Sequence, residues 1–124
     1  MHIAFTDREL DVMNVLWAAA SATVAEVRER LTDDLAYTTV LTILRTLEQK
    51  GYVGHTGEGR AYRYRPLVRR AAAGRTALRR LVKKVFDGSP ELLLTQLVSD
   101  TNLTDQELRR LRRVLEERLR ERKP

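Results

Sequence analysis

Apolar residues recur at intervals of three and four along most of the chain, and the pattern turns extended only once. Phe5-Thr6-Asp7-Arg8-Glu9-Leu10 opens the first helix with Thr6 as N-cap, Glu9 completing a capping box, and Phe5 set to staple onto Leu10. Leu10, Met13, Leu16, Trp17 and Ala20 then predict a core-facing stripe on a helix ending near Ala20, with Asp7, Glu9, Asp11 and Asn14 turned to water. Thr23 and Glu26 repeat the capping box, and Val24, Val27 and Leu31 predict a short second helix closed by Thr32-Asp33-Asp34. A third helix is predicted over residues 37–50 from Val40, Ile43, Leu44 and Leu47, with Gly51 placed to end it in a left-handed conformation.

Beyond Gly51 the period drops to two. Residues 52–56, a Gly57-Glu58-Gly59 turn and residues 60–65, closed by Pro66, predict a β-hairpin. Tyr62 and Tyr64 share one face of its second strand, and Arg63 and Arg65 the other, so the tyrosines go inward. From Val68 the helical period returns. Leu78, Leu81, Val82, Val85 and Phe86 line a long helix stopped by Asp87-Gly88. Ser89-Pro90-Glu91 starts a shorter one with Leu92, Leu93, Leu94, Leu97 and Val98, and a third capping box, Thr104 with Glu107, opens a last helix bearing Leu108, Leu111, Leu115 and Leu119. Three apolar stripes within so short a helical segment bury poorly alone, which predicts pairing with a second copy through Leu78, Leu81, Val85, Leu93, Leu97, Leu108, Leu111, Leu115 and Leu119.

Composition narrows the chemistry. With no Cys and only His2 and His55, the 124-residue chain lacks thiolate metal sites, disulfides and Cys or His catalytic pairs, so no cofactor is expected. It also lacks paired carboxylates in a cleft-like context and a glycine-rich phosphate loop, and an enzyme such as a small hydrolase has little support. No apolar run spans a membrane and the start does not read as a signal peptide, which predicts a cytoplasmic protein with no membrane partner. Charge is unevenly spread. Residues 1–36 hold three Arg against seven Asp/Glu, residues 37–66 five Lys/Arg against two Glu, and residues 67–124 fifteen against eight. A polyanion partner is one reading of that gradient; an Arg-rich soluble surface is the plainer one.

The outward face of the third helix decides between them. Thr38, Thr42, Arg45, Thr46 and Gln49 form a polar face of mostly short side chains with no acid but the flanking Glu48. Hydroxyls can bond base edges or phosphates, Thr methyls can touch thymine, and Arg can pair bidentately with guanine. Tyr37, at the first turn, either covers the core or reaches a phosphate, and the amides beside it favour the latter. Lys50, Arg60 and Arg63 supply cations at the edges, although arginines on a hairpin also serve to guard a strand edge. Trp17 reads as core, His55 as an ordinary strand residue, and Glu9, Glu26 and Glu107 as capping groups. Three helices followed by a β-hairpin is the order of a winged helix. Such a fold docking on a protein, with the basic C-terminal helices on an acidic partner, is the alternative, and the acid-free threonine face speaks against it.

Thr6-Asp7-Arg8-Glu9-Leu10-Asp11-Val12-Met13-Asn14-Val15-Leu16-Trp17 resembles the opening of the penicillinase-repressor (BlaI/MecI) family. Residues 23–27 resemble its second helix, residues 36–53 its recognition helix, and Glu58-Gly59-Arg60-Ala61-Tyr62-Arg63-Tyr64-Arg65-Pro66 its wing. The resemblance is one of motifs over residues 5–66 and of helix pattern alone beyond. It implies a homodimeric repressor of a palindromic double-stranded DNA operator, with Tyr37, Thr38, Thr39, Thr42 and Arg45 as recognition-helix contacts and Arg60 and Arg63 as wing contacts. Antibiotic-responsive members are cut at an Asn-Phe bond, where this chain carries Gln96-Leu97, and copper-responsive relatives use cysteines that it lacks. The residues therefore name no sensor or protease partner. The expected fold is mostly α: a winged helix-turn-helix over residues 1–67, with three helices and a β-hairpin wing, then a helical dimerisation domain over residues 68–124.

Overall fold

The computed structural model describes residues 3–57 and 62–122, so Arg60 and the rest of the expected wing tip, Glu58, Gly59 and Ala61, lie outside the described residues. The order is α1 (Asp7–Ala19), β1 (Ala22–Thr23), α2 (Val24–Arg30), α3 (Tyr37–Gln49), β2 (Val53–Thr56), β3 (Arg63–Pro66), α4 (Arg70–Val85), α5 (Pro90–Asp100) and α6 (Asp105–Glu121). Residues 1–78 and 79–124 form two compact units, with the boundary inside α4.

Local chemistry starts and stops these helices. Both halves of the capping box are made at Thr6/Glu9, Thr23/Glu26 and Thr104/Glu107, and Ser89 caps α5 through Leu92 N–H at 3.2 Å. α3 ends in a Schellman motif: Tyr52 N–H donates to Leu47 C=O and Gly51 N–H to Glu48 C=O, both at 3.0 Å, with Gly51 at φ 83°.

The core of the first unit lies between α1, α2, α3 and the sheet, and holds Val12, Met13, Leu16, Val27, Val40, Leu44, Leu47, Val53 and Tyr64. The stripe on α1 is rotated from the expected one. Met13 and Leu16 are buried as predicted, but Val12 is fully buried, Leu10 is 36% exposed and Ala20 lies past the helix end. Phe5 packs its ring on Tyr52 and edge-on to Trp17, at centroid distances of 4.8 and 6.2 Å, while Leu10 stays open. Glu9, expected in water, is 4% exposed because Lys50 at the end of α3 closes over it. Trp17 sits half-buried at the edge of the core, where Nε1 donates to Val68 C=O at 2.8 Å and the Arg70 guanidinium lies 5.0 Å over the ring.

The hairpin is part of a three-stranded antiparallel sheet in the order β1-β3-β2. Ala22 pairs with Tyr64 and Thr23 with Arg63 on one side, and His55 with Tyr64 and Thr56 with Arg63 on the other. β3 is thus the central strand, and its arginines guard no edge. The alternation reads as expected, with Tyr64 buried, Tyr62 half-buried and Arg63 and Arg65 exposed.

In the second unit, α5 and α6 contribute no buried residue. Asp87 (φ 52°) and Gly88 (φ 73°) make the turn after α4, with Gly88 N–H donating to Val82 C=O at 2.9 Å.

Candidate nucleic-acid interface

α3 presents Thr38, Thr39, Thr42, Arg45 and Gln49 to solvent, with Thr46 half-buried beside them. Two of the hydroxyl protons are already spent: Thr42 Oγ1 donates to Thr38 C=O at 2.9 Å and Thr46 Oγ1 to Thr42 C=O at 3.0 Å. What these side chains offer outward is an oxygen acceptor and a methyl, suited to exocyclic amines of adenine or cytosine and to the thymine methyl. Arg45 is the long donor on this face, and among the described residues it makes no hydrogen bond or ion pair. At the start of α3 the N-cap Ala36 supplies no side-chain cap, whereas α1, α2, α5 and α6 all have one. Among the described residues the first amides of α3, beside the 42% exposed Tyr37, have no side-chain cap, and the positive end of the helix dipole lies there.

The expected edge cations fall into distinct states. Lys50 is held by both oxygens of the buried Glu9, at 2.9 and 2.8 Å, and the same carboxylate accepts Thr6 N–H at 2.8 Å. Burial works to raise the Glu9 pKa, but the Lys50 and Thr6 hydrogen bonds outweigh it and hold the group below the usual carboxylate value. Arg63 is held more loosely. It donates to Glu26 at 2.9 Å and to Ser21 Oγ and C=O at 3.3 and 3.4 Å, with both charged side chains over two-fifths exposed. The Thr23 backbone and hydroxyl bonds, with Arg63 beside them, keep Glu26 ionised below its ordinary range. Arg65 stands on the same exposed face of β3 with no ion pair among the described residues. Period-two alternation had put it beside Arg63; nothing in the sequence marked it as the freer of the two.

His55 also does more than fill a strand. Its Nδ1 meets Glu48 Oε2 at 2.5 Å, tying β2 to α3, and its ring lies 4.4 Å from that of Tyr62. Glu48, the acid flanking the α3 face, is thereby engaged with the wing.

A helix with an exposed polar face whose flanking acid, Glu48, is engaged by His55, packed behind by two helices and followed by a sheet wing, defines a winged helix-turn-helix protein. The chain belongs to the penicillinase repressor family, whose sequence profile matches residues 5–117. It is a transcriptional regulator and not an enzyme. Over 114 residues it is 26% identical to the penicillinase repressor of Bacillus licheniformis, covering 90% of this chain and 89% of the relative. It is 44% identical over 64 residues to the transcriptional regulator BlaI of Mycobacterium tuberculosis, covering 49% and 46%. Among solved structures, the DNA binding domain of the repressor BlaI matches with a TM-score of 0.52 at 32% identity, over 58% of this chain and 90% of that one. A MarR family protein from Bacillus stearothermophilus matches with a TM-score of 0.54 at 18% identity, over 96% and 76%, a likeness of fold. Among the described residues, no helix is long and apolar enough to cross a membrane.

Proposed function

We propose that the chain acts in the cytoplasm as a homodimeric repressor of a palindromic operator. Helix 37–50 enters the major groove with Thr38, Thr42, Arg45 and Thr46 toward the bases; Tyr37, Thr39 and the uncapped first turn take phosphate; and the wing, residues 52–65 with Arg60 and Arg63, lies on flanking DNA. The observation that carries this reading is the exposed face of α3, which has unpaired Arg45, back-bonded threonines and no free acid. Arg65 joins the wing contacts. Lys50, locked to Glu9, serves the site by holding the end of α3 to α1 rather than by reaching DNA. Residues 1–67 are the DNA-binding domain and residues 68–124 the dimerisation domain. The second copy is favoured by α5 and α6, which have no fully buried residue and leave Leu97, Leu108, Leu115 and Leu119 exposed.

Selection of fragmented genomic DNA by the full-length chain tests this. Enrichment of an inverted repeat with half-sites one helical turn, about 34 Å, apart supports it. Uniform recovery that disappears as salt rises overturns it and favours docking on a protein.

A further inference from the structure

α4 carries six Lys/Arg and no Asp/Glu. Four of these cations, Arg79, Arg80, Lys83 and Lys84, lie in its second half, and all four are exposed. Among the described residues none of them makes an ion pair or a hydrogen bond. At 100° per residue they occupy a sector of about 140°, and Leu81, Val82 and Val85 lie together on the other side. Arg79 with Lys83, and Arg80 with Lys84, are like charges four residues apart, an arrangement that works against the helix. The helix C-terminus favours Lys83 and Lys84 but not the two arginines a turn earlier.

α6 shows that an Arg-rich composition does not force this arrangement. It interleaves six Arg with five Asp/Glu, and Arg112 pairs with Glu116 at 3.6 Å and Arg118 with Glu121 at 3.2 Å. That is how a solvated charged face is normally neutralised. Among the described residues no acid neutralises these cations of α4, which is the condition of a surface completed by a polyanion.

We propose that Arg79, Arg80, Lys83 and Lys84 are a second DNA-contact surface, taking backbone phosphates outside the base pairs read by α3. This rests on the DNA-binding reading above and adds to it a part of the binding energy that is independent of sequence.

The test compares full-length wild type, a variant with all four residues changed to Gln, and an α6 control with Arg110→Gln and Arg113→Gln. Each is titrated on a duplex carrying the selected motif across a range of salt, with dimeric state followed by sedimentation. The four-residue variant should stay dimeric and keep its base preference, while its log K against log salt slope shrinks by about 0.9 for each phosphate no longer neutralised. The α6 control should match wild type. The pairs Arg79→Gln with Lys83→Gln and Arg80→Gln with Lys84→Gln give the same reading if the fuller variant misfolds. An unchanged slope in a dimeric variant overturns the proposal while leaving base reading intact, as does an equal drop in the α6 control. Weakened retention on polyglutamate with an unchanged DNA slope also overturns it, and assigns the surface to an acidic protein. Absence of base preference in wild type overturns this proposal and the DNA-binding reading together.

Discussion

Glu9 and Lys50, 41 residues apart, are joined through a carboxylate that also closes the capping box of α1. One side chain thus starts the first helix and anchors the end of α3. Glu26 repeats the design more openly, capping α2 and holding Arg63 of the central strand. The difference in burial between the two pairs separates their roles.

An exposed ion pair is weak and exchangeable, whereas a buried acid left alone is costly. Lys50→Gln should therefore lower stability by about 1–3 kcal/mol in urea unfolding while leaving the salt slope of operator binding as in wild type. Arg63→Gln or Arg65→Gln should cost little stability and reduce the slope by about 0.9 per phosphate released. A reduced slope for Lys50→Gln with stability unchanged would place Lys50 on DNA after all.

The lowered pKa of Glu9 fixes the direction of a pH effect. Above its ordinary value of 4.5 the group is ionised in folded and unfolded chains, and its stabilisation is fully present. As pH falls, the unfolded chain takes up the proton first, and the contribution is gone below the folded pKa. The stability gap between wild type and Glu9→Gln should be about 1–3 kcal/mol at neutral pH and should close as pH falls from 4.5 through the lowered pKa of the folded state. A gap that persists in acid would mean that packing, not charge, is what Glu9 supplies.

Ala20 closes α1 at φ 70° and ψ −37°, where a Cβ is strained. Glycine accepts that conformation, at the cost of a more flexible unfolded chain. Ala20→Gly should raise thermal stability by a few tenths to about 1 kcal/mol, and Ala20→Val should lower it. Scanning calorimetry of the three proteins gives the order directly.

Leu111 and Leu115 stand one turn apart on α6, Leu115 half-exposed in the single chain. Changing both to Asp should give monomers by sedimentation and much weaker operator binding. Because the first unit has its own core, its helical signal should survive. A dimer that persists would put the interface on other residues.

What the sequence disclosed follows the range of each interaction. The capping boxes at Thr6, Thr23 and Thr104 and the Gly51 stop span at most a few residues, and each forms as read. The inward tyrosine of the wing follows from the strand period. The exact face of α1 does not, because Val12 is buried over Leu10 by what packs against the helix rather than by the residues' own hydrophobicity. β1, two residues long, is too short to carry a period and exists through its pairing with β3. At the site, the threonine face of α3 was legible, but the states of its cations were not. The Glu9–Lys50 and Glu26–Arg63 pairs span 41 and 37 residues, and only the folded chain brings them together.

Arg45 bears most directly on the central claim that α3 reads sequence. Wild type and Arg45→Ala should be taken in parallel through selection from randomised duplexes at the same salt. The expected result is an inverted repeat for wild type and, for the variant, the same repeat with preference relaxed at one position in each half, a loss of about 1–3 kcal/mol there. An identical motif from both proteins, or an equal loss of affinity for every sequence, would contradict the assignment of α3 as the reading helix.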